Sequence, residues 1–289
     1  MKALFCTDGS EISFYALTNL SSFNTNITID ILCVIDWHFY PMYMSYPEPD
    51  YSNTYEEIAT NILALAKEEI KQRGFTVGDL ELAWGGASEE IIKYSENKKY
   101  DIIIMGSHGK KGIKSWLGSA SRKVVNKTKT PIFISKESKK NEIVLLTADG
   151  SQGSRNAIKK AISLFDLSNK DIYVITVMED ISNLPLEITS NKQWLNDYIK
   201  KRNCATENIL KDTKAILKEH NLSIKKDFTL IGAPSSTIIQ TAEEEKVDLI
   251  VLGSHSKDKF SEFLLGSTSK RVLDNTKSSV LIVSPDIDD

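Results

Sequence analysis

Residues 106–119 read GSHGKKGIKSWLGS, and residues 253–267 read GSHSKDKFSEFLLGS. Both open on Gly-Ser-His and close on Gly-Ser. A chain that repeats a loop has repeated what surrounds it, and the flanking sequence bears this out. LFCTDGSE (4–11) matches LLTADGSQ (145–152), and ATNIL (59–63) resembles TENIL (206–210). Ile62 and Leu63 fall 147 residues before Ile209 and Leu210. The same offset joins Gly74 to Asn221, Gly85 to Gly232, Ser88 to Ser235, Ile91 to Ile238, Asp101 to Asp248 and Gly106 to Gly253. It becomes 148 at Gly118 and Gly266, so the first loop is one residue shorter. One domain is therefore duplicated, over residues 1–138 and 141–289. The polar stretch KESKKNE (136–142) is suited to a linker. The period is far too long for a solenoid repeat.

Each copy alternates strand and helix signals. KALFCTD is a short apolar run stopped by Asp-Gly, and so a buried strand. Ser10 is placed to cap a helix reaching about Leu20, with Glu11 adding negative charge to its first turn. ITIDILCVID is rich in β-branched residues and reads as a second strand. YEEIATNILALAKEEIKQRG carries an apolar stripe at Ile58, Ile62, Leu65, Ala66 and Ile70, with Gly74 as a left-handed stop. Asn221 takes that place in the second copy. DLELAWG (strand), SEEIIKYSENKK (helix, Ser88 as cap), YDIIIMG (strand), the loop, a helix from Ser119 and PIFIS (strand) complete the unit. The order βαβαβαβαβ implies a parallel sheet covered on both faces.

The 289 residues suit about two domains. With 36 basic and 39 acidic side chains interspersed, the net charge is −3, which points away from nucleic acid and from a basic membrane patch. No apolar run approaches the roughly 18 residues of a membrane span. MKALFCTDGS reads as a first strand and not a signal peptide. Cys6, Cys33 and Cys204 do not pair out evenly, which suits reduced thiols in a cytoplasmic protein.

In an open parallel sheet, ligands bind beyond the carboxyl ends of the strands, where strand order reverses. Three features fall at such ends: Asp8 (Asp149 in the second copy), Val34 (Val177), and the loop after the fourth strand. Glycine lets a backbone approach an anion closely, and a helix N-terminus offers unpaired N–H groups. The loop therefore suits a phosphate chain, Asp8 a sugar hydroxyl, and the Val34 backbone an adenine edge. A turn followed by a helix cap is the plainer account of Asp-Gly-Ser taken alone. His108 and His255 lack a nucleophile and an orienting group beside them in sequence, so no catalytic residue is assigned. Lys110, Lys111 and Lys114 are a solvated face or a source of phosphate attraction. No Cys, His or carboxylate set has metal-ligand spacing. DWHFYPMYMSYPEPDYSNTY (36–55) is too long and aromatic for an ordinary connection, and it reads as a cover over its own domain, a lid, or a partner surface.

Both copies resemble the ATP-binding branch of the universal stress protein family. The resemblance rests on TDGSE and TADGS after the first strand, and on Gly-x₂-Gly-x₉-Gly-[Ser/Thr] after the fourth. It implies two tandem Rossmann-like domains of the adenine nucleotide α-hydrolase type, each a five-stranded parallel sheet with flanking helices. It implies ATP, with or without Mg, in one or both halves. The implied contacts are Asp8, Val34, Gly106, Gly109, Gly118, Ser119 and Ser121 in the first half. In the second they are Asp149, Val177, Gly253, Ser256, Gly266, Ser267 and Ser269. The first half departs from the motif by one residue of spacing, and the second by Ser256 in place of glycine. The resemblance further implies a non-catalytic regulator of stress survival. Its two domains pair through their last strands as an intramolecular pseudo-dimer, which leaves room for a homodimer and an unnamed protein partner. The alternative is a nucleotide-free interaction module in which both motifs are relics. The chain lacks the Ser-Gly-Gly-x-Asp-Ser and His-x-Gly-His signatures of the related enzymes.

Overall fold

A computed structural model describes residues 1–36, 51–108, 117–136, 142–180, 192–254 and 265–284. Its residues fall into two compact units. The first takes in residues 1–136, Leu265 and Ser279–Ile282; the second takes in most of the remainder.

In the first unit the strands are β1 (Lys2–Thr7), β2 (Thr28–Asp36), β3 (Thr76–Gly85), β4 (Ile102–Gly106) and β5 (Ile132–Ser135). They lie side by side in the order β3-β2-β1-β4-β5, all parallel. The helices are α1 (Glu11–Thr18), α2 (Tyr51–Gln72), α3 (Ala87–Lys98) and α4 (Ser119–Lys127). Central strands buried on both faces read as unbroken apolar runs, as in Ala3, Leu4 and Phe5 or Ile102, Ile103 and Ile104, all without exposed surface. Phe23 meets Phe133 edge to face, centroids 5.4 Å apart. The strand order reverses between β1 and β4, which opens a crevice at their carboxyl ends.

The second unit repeats the plan. Its strands are β6 (Ile143–Thr147), β7 (Asp171–Met178), β8 (Lys226–Ile231) and β9 (Leu249–Gly253), in the parallel order β9-β6-β7-β8. Its helices are α5 (Gln152–Leu164), α6 (Lys192–Glu219), α7 (Pro234–Glu244) and α8 (Ser267–Asn275). The last strand, β10 (Ser279–Val283), runs antiparallel to β5, with Val280, Leu281 and Ile282 opposite Ile134, Phe133 and Ile132.

Two local expectations need correction. The α2 stripe is rotated: Ala59, Leu63, Ala66 and Ile70 are buried, whereas Ile58 and Leu65 are 46% and 61% exposed. Small Ala59 and Ala66 let the helix sit close to the sheet, and this sets the rotation. Ser88 is buried in the first turn of α3 and donates to Glu89. The N-cap is Gly86, with no side-chain cap. Gly74 and Asn221 both turn left-handed, with φ of 83° and 58°.

Candidate functional site

At the strand-order reversal of the first unit lies a cavity of about 660 Å³. Asp8, Val34, Gly106, Gly118, Ser119 and Ser121 all line it. These are six of the seven first-half residues singled out in the sequence. The seventh, Gly109, lies outside the described residues, as do Lys110, Lys111, Lys114 and Ser256, His255 and the aromatic run 37–50.

Asp8 follows β1 in a tight turn. Its Oδ1 accepts from the Ser10 N–H at 3.0 Å, and Ser10 Oγ accepts from the Ser13 N–H at 3.2 Å. Helix α1 is thus capped by its own serine. Asp149 and Ser151 build the same turn ahead of α5, at 2.9 Å and 3.1 Å. The plainer reading of Asp-Gly-Ser as turn plus cap is therefore realised in both halves.

Helix α4 is different. Gly118 is its N-cap and supplies no side-chain acceptor. The Gly118 N–H donates to Ser107 O at 2.7 Å, and the Ser121 hydroxyl donates to Gly106 O at 3.0 Å. These two bonds fasten the first turn of α4 to the end of β4. A serine has one hydroxyl proton, and Gly106 O receives that of Ser121. What remains at the cavity wall is the row of backbone N–H groups of Ser119, Ala120 and Ser121. That is the arrangement an anion meets at a helix N-terminus. In the second unit α8 starts likewise at uncapped Gly266. The Gly266 N–H donates to Ser254 O and the Ser269 hydroxyl to Gly253 O, both at 2.7 Å. Val177 lies near the end of its strand as Val34 does, one and two residues before the last paired residue of β7 and β2 respectively, and Ser267 opens α8 as Ser119 opens α4.

Gly106 and Gly253 have a packing reason for lacking a side chain. A Cβ on Gly106 would meet the Ile12 carbonyl oxygen of α1 at 3.0 Å. On Gly253 it would meet the Gly153 carbonyl carbon of α5 at 2.8 Å. The helix crosses the end of the strand too closely for any larger residue.

The sequence reading missed much of the cavity wall. Tyr55, Ile58 and Ile62 of α2, Ala87 and Ile91 of α3, and Cys6, Cys33 and His108 all line it. Ile58 and Ile62 were read in the sequence as one stripe packed on the sheet, and nothing in that pattern marked them as cavity wall. His108 is buried, with Nδ1 3.0 Å from Ser107 Oγ. Burial, with Cys33 adding to it, pushes the Cys6 thiol well above its ordinary range. None of the three cysteines is in a disulfide, and Cys204 is exposed. Among the described residues no group of three or more His, Cys, Asp and Glu is placed to hold a metal ion. Among them, too, no helix is long and apolar enough to cross a membrane.

An open α/β sheet with a glycine-edged crevice at its strand-order reversal defines a Rossmann-like class. Residues 1–136 and 140–284 each match the universal stress protein family, and the chain belongs to it. A universal stress protein of Methanocaldococcus jannaschii is 29% identical over 48% of this chain and 80% of its own. A crystal structure of a universal stress protein from Archaeoglobus fulgidus covers 98% of each chain at 22% identity, with a TM-score of 0.67. It shares the fold. A solved universal stress protein in complex with cAMP covers 47% of this chain and 95% of its own, at 20% identity and a TM-score of 0.34.

Proposed function

We propose that the first half of this chain binds ATP and acts as a non-catalytic, nucleotide-responsive regulator in the cytoplasm. The observation that carries this reading is the lining of one 660 Å³ cavity by Asp8, Val34, Gly106, Gly118, Ser119 and Ser121. That volume lies within the ~300–1,000 Å³ of small-molecule sites. The phosphates would lie against the N–H groups of Ser119, Ala120 and Ser121. An adenine ring would rest by Val34 among the apolar side chains of Leu32, Ile35 and Ile62, with Asp8 toward the ribose. The fit is chemical at both ends: an uncapped helix start for the anion, and an apolar wall for the ring.

Two further points belong to the same reading. Residues 1–138 and 141–289 are taken as the folding domains and as an intramolecular pair, a reading supported by the match of each half to the same family. Three cysteines outside any disulfide, two of them buried, suit a reducing compartment.

Calorimetric titration of the full chain with ATP tests the proposal. Gly118→Val places a branched side chain at the start of α4, where its Cβ would lie 3.2 Å from His108 Cα. It is expected to weaken ATP binding more than tenfold, or over ~1.4 kcal/mol, and Gly266→Val to do less. No heat and no thermal shift with millimolar ATP would overturn the proposal in favour of a nucleotide-free interaction module. Steady ATP turnover near ~1 per second or faster would remove the word non-catalytic.

A further inference from the structure

The outer face formed by α1 and α2 differs in kind from its counterpart on α5 and α6. The offset of 141 that relates Asp8 to Asp149 sets Phe14 against Arg155 and Glu11 against Gln152. The offset of 147 sets Leu65 against Asp212, Ile58 against Ala205 and Glu57 against Cys204. In the second unit Arg155 and Asp212 form an ion pair across the two helices, Nη2 to Oδ2 at 3.5 Å. The same two places in the first unit hold a benzyl and an isobutyl group. The helices are set alike in both copies, since the Gly9 turn sits against Ile62 just as the Gly150 turn sits against Ile209. Phe14 and Leu65 therefore stand on either side of the seam that the other copy bridges with charge.

Leu65 and Ile58 are exposed and Phe14 is half-buried. Ile58 and Leu65 are seven residues apart, two helical turns, so they lie along one line of α2. A lone exposed apolar side chain is ordinary. Three gathered on one face, in one copy only, mark a contact surface. Two acids border them. Glu11 lies one turn before Phe14 on the same side of α1, and Glu57 lies two turns before Leu65 on α2, both exposed. Farther along α2, Glu68 and Glu69 are paired with Lys71 and Arg73 at 4.0 Å and 3.2 Å. Among the described residues Glu11 and Glu57 stand in no such pair. The second copy has neither acid.

We infer that the α1–α2 face of the first half docks a partner protein through an amphipathic helix that carries Lys or Arg beside its apolar side chains. The apolar part follows from Phe14, Ile58 and Leu65, since a helix laid against other helices is a common way to bury such anchors. The charge follows from the two carboxylates left without a base. A cation beside them is attracted and an anion repelled, and this sets the choice of partner more than the strength of binding. The same acids disfavour a second copy of this chain as the occupant. A two-fold contact uses one patch on both molecules, and so would bring Glu11 and Glu57 of each into the same interface. The inference stands apart from ATP binding, because Glu11, Phe14, Glu57 and Leu65 are not among the residues lining the first-half cavity.

The probe is a fluorescently labelled synthetic peptide of leucine and lysine, with leucine at helical spacing, titrated with the full chain and followed by anisotropy. A second peptide has glutamate in place of lysine. The lysine peptide is expected to bind in the micromolar range, and the glutamate peptide at least tenfold more weakly. Phe14→Arg combined with Leu65→Asp gives the first half the ion pair that the second half already tolerates at this seam. That double variant is expected to weaken the lysine peptide at least tenfold. Glu11→Gln combined with Glu57→Gln, two surface changes, is expected to weaken it several-fold and to flatten its dependence on salt. Absence of binding by the lysine peptide at tens of micromolar overturns the inference. So does equal binding of the two peptides, or an affinity of either double variant within twofold of the parent. Sedimentation of the peptide-free chain completes the test: a dimer that dissociates on Phe14→Arg with Leu65→Asp overturns the inference in favour of a second copy.

Discussion

The first half buries a carboxylate at the place where the second buries a phenol. Asp30 on β2 has no exposed surface. It accepts from Lys2 Nζ at 2.8 Å, from the Tyr100 hydroxyl at 2.7 Å and from the Asp79 N–H at 3.0 Å. Burial pushes its carboxyl up, but the hydrogen bonds from Lys2, Tyr100 and Asp79 outweigh burial and hold it below the ordinary carboxylate range. The corresponding residue of β7 is Tyr173. It meets Phe228 edge-on, centroids 6.0 Å apart, and Lys226 Nζ lies 5.3 Å from its ring. Lys226 in turn stands where the first half has Asp79. One strand position has thus been filled by an ionic cluster in one copy and by an aromatic–cation cluster in the other. The fold demands that this residue be buried and partnered; it does not demand a particular chemistry. Two positions that line the first-half cavity teach the same lesson: the repeat sets Arg202 and Thr176 where the first copy has Tyr55 and Cys33.

The largest effect expected from this difference is confined to the first half. Asp30→Ala leaves the buried Tyr100 hydroxyl without its acceptor and Lys2 without its carboxylate. Lost buried pairs cost about 3–5 kcal/mol, and about 3 is expected here because Lys2 is 38% exposed and rehydrates. Hydrogen exchange during chemical denaturation is expected to show the loss in β1, β2 and β3, with β6, β7 and β8 unchanged. Equal losses in both halves would break the comparison.

The same carboxylate gives the halves different responses to acid. A carboxyl held below its ordinary value contributes stability that is fully present above the unfolded-state pKa, near ~4. That contribution is lost as pH falls through the lower, folded-state value. The matching position of β7 carries no carboxylate. The amides of β2 are therefore expected to lose protection in acid before those of β7, and Asp30→Asn is expected to remove the difference.

The strand ends rank the other way. A Cβ on Gly253 meets backbone at 2.8 Å and 2.9 Å, and on Gly106 at 3.0 Å and 3.1 Å. Gly253→Ala is expected to cost about 2 kcal/mol and Gly106→Ala about 1 kcal/mol, as overpacking costs go. Thermal unfolding of the two variants gives the order; a reversed order would mean that α1 yields less readily than α5.

The smallest effect is one where the halves should agree. Ser10 and Ser151 cap α1 and α5 with nearly the same geometry. Ser10→Ala and Ser151→Ala are each expected to cost about 1 kcal/mol, equal within a few tenths. A clear inequality in Tm shift would show that the two turns differ in some way other than the cap.

Much of this was legible in the residues. Short, β-branched apolar runs such as Ile102–Ile103–Ile104, bounded by turn residues, read as strands buried on both faces. Helical stripes set between them forced a parallel order, and the 147-residue offset fixed the duplication. Ser10 and Ser151 announced their helix starts because a cap is a contact between residues three apart. Gly106 and Gly253 were legible as required glycines, but not for their reason: α1 and α5 come close to those strand ends only in three dimensions. The rotation of α2 was hidden too. Ile58 and Leu65 fit a helical stripe in sequence, and only the close seat of Ala59 and Ala66 on the sheet turns them outward.

The sequence by itself determined the periodic and local features of this protein: its strands, its helices, its two capped turns and its repeat. Each depends on residues within a few positions of one another, or on a direct match between copies. The tertiary structure alone decided which residues share a cavity, and which polar groups are buried with or without a partner. Tyr55, Ile91 and Cys33 share one cavity only because parallel strands and their crossover helices converge at the reversal of strand order. Asp30 is tolerated in the core because Tyr100 is brought to it from seventy residues away. Thr176 stands out for the converse reason: the fold buries its hydroxyl and sets no hydrogen-bond partner beside it among the described residues. Burial and pairing are properties of the whole packed chain, so no window of sequence could state them.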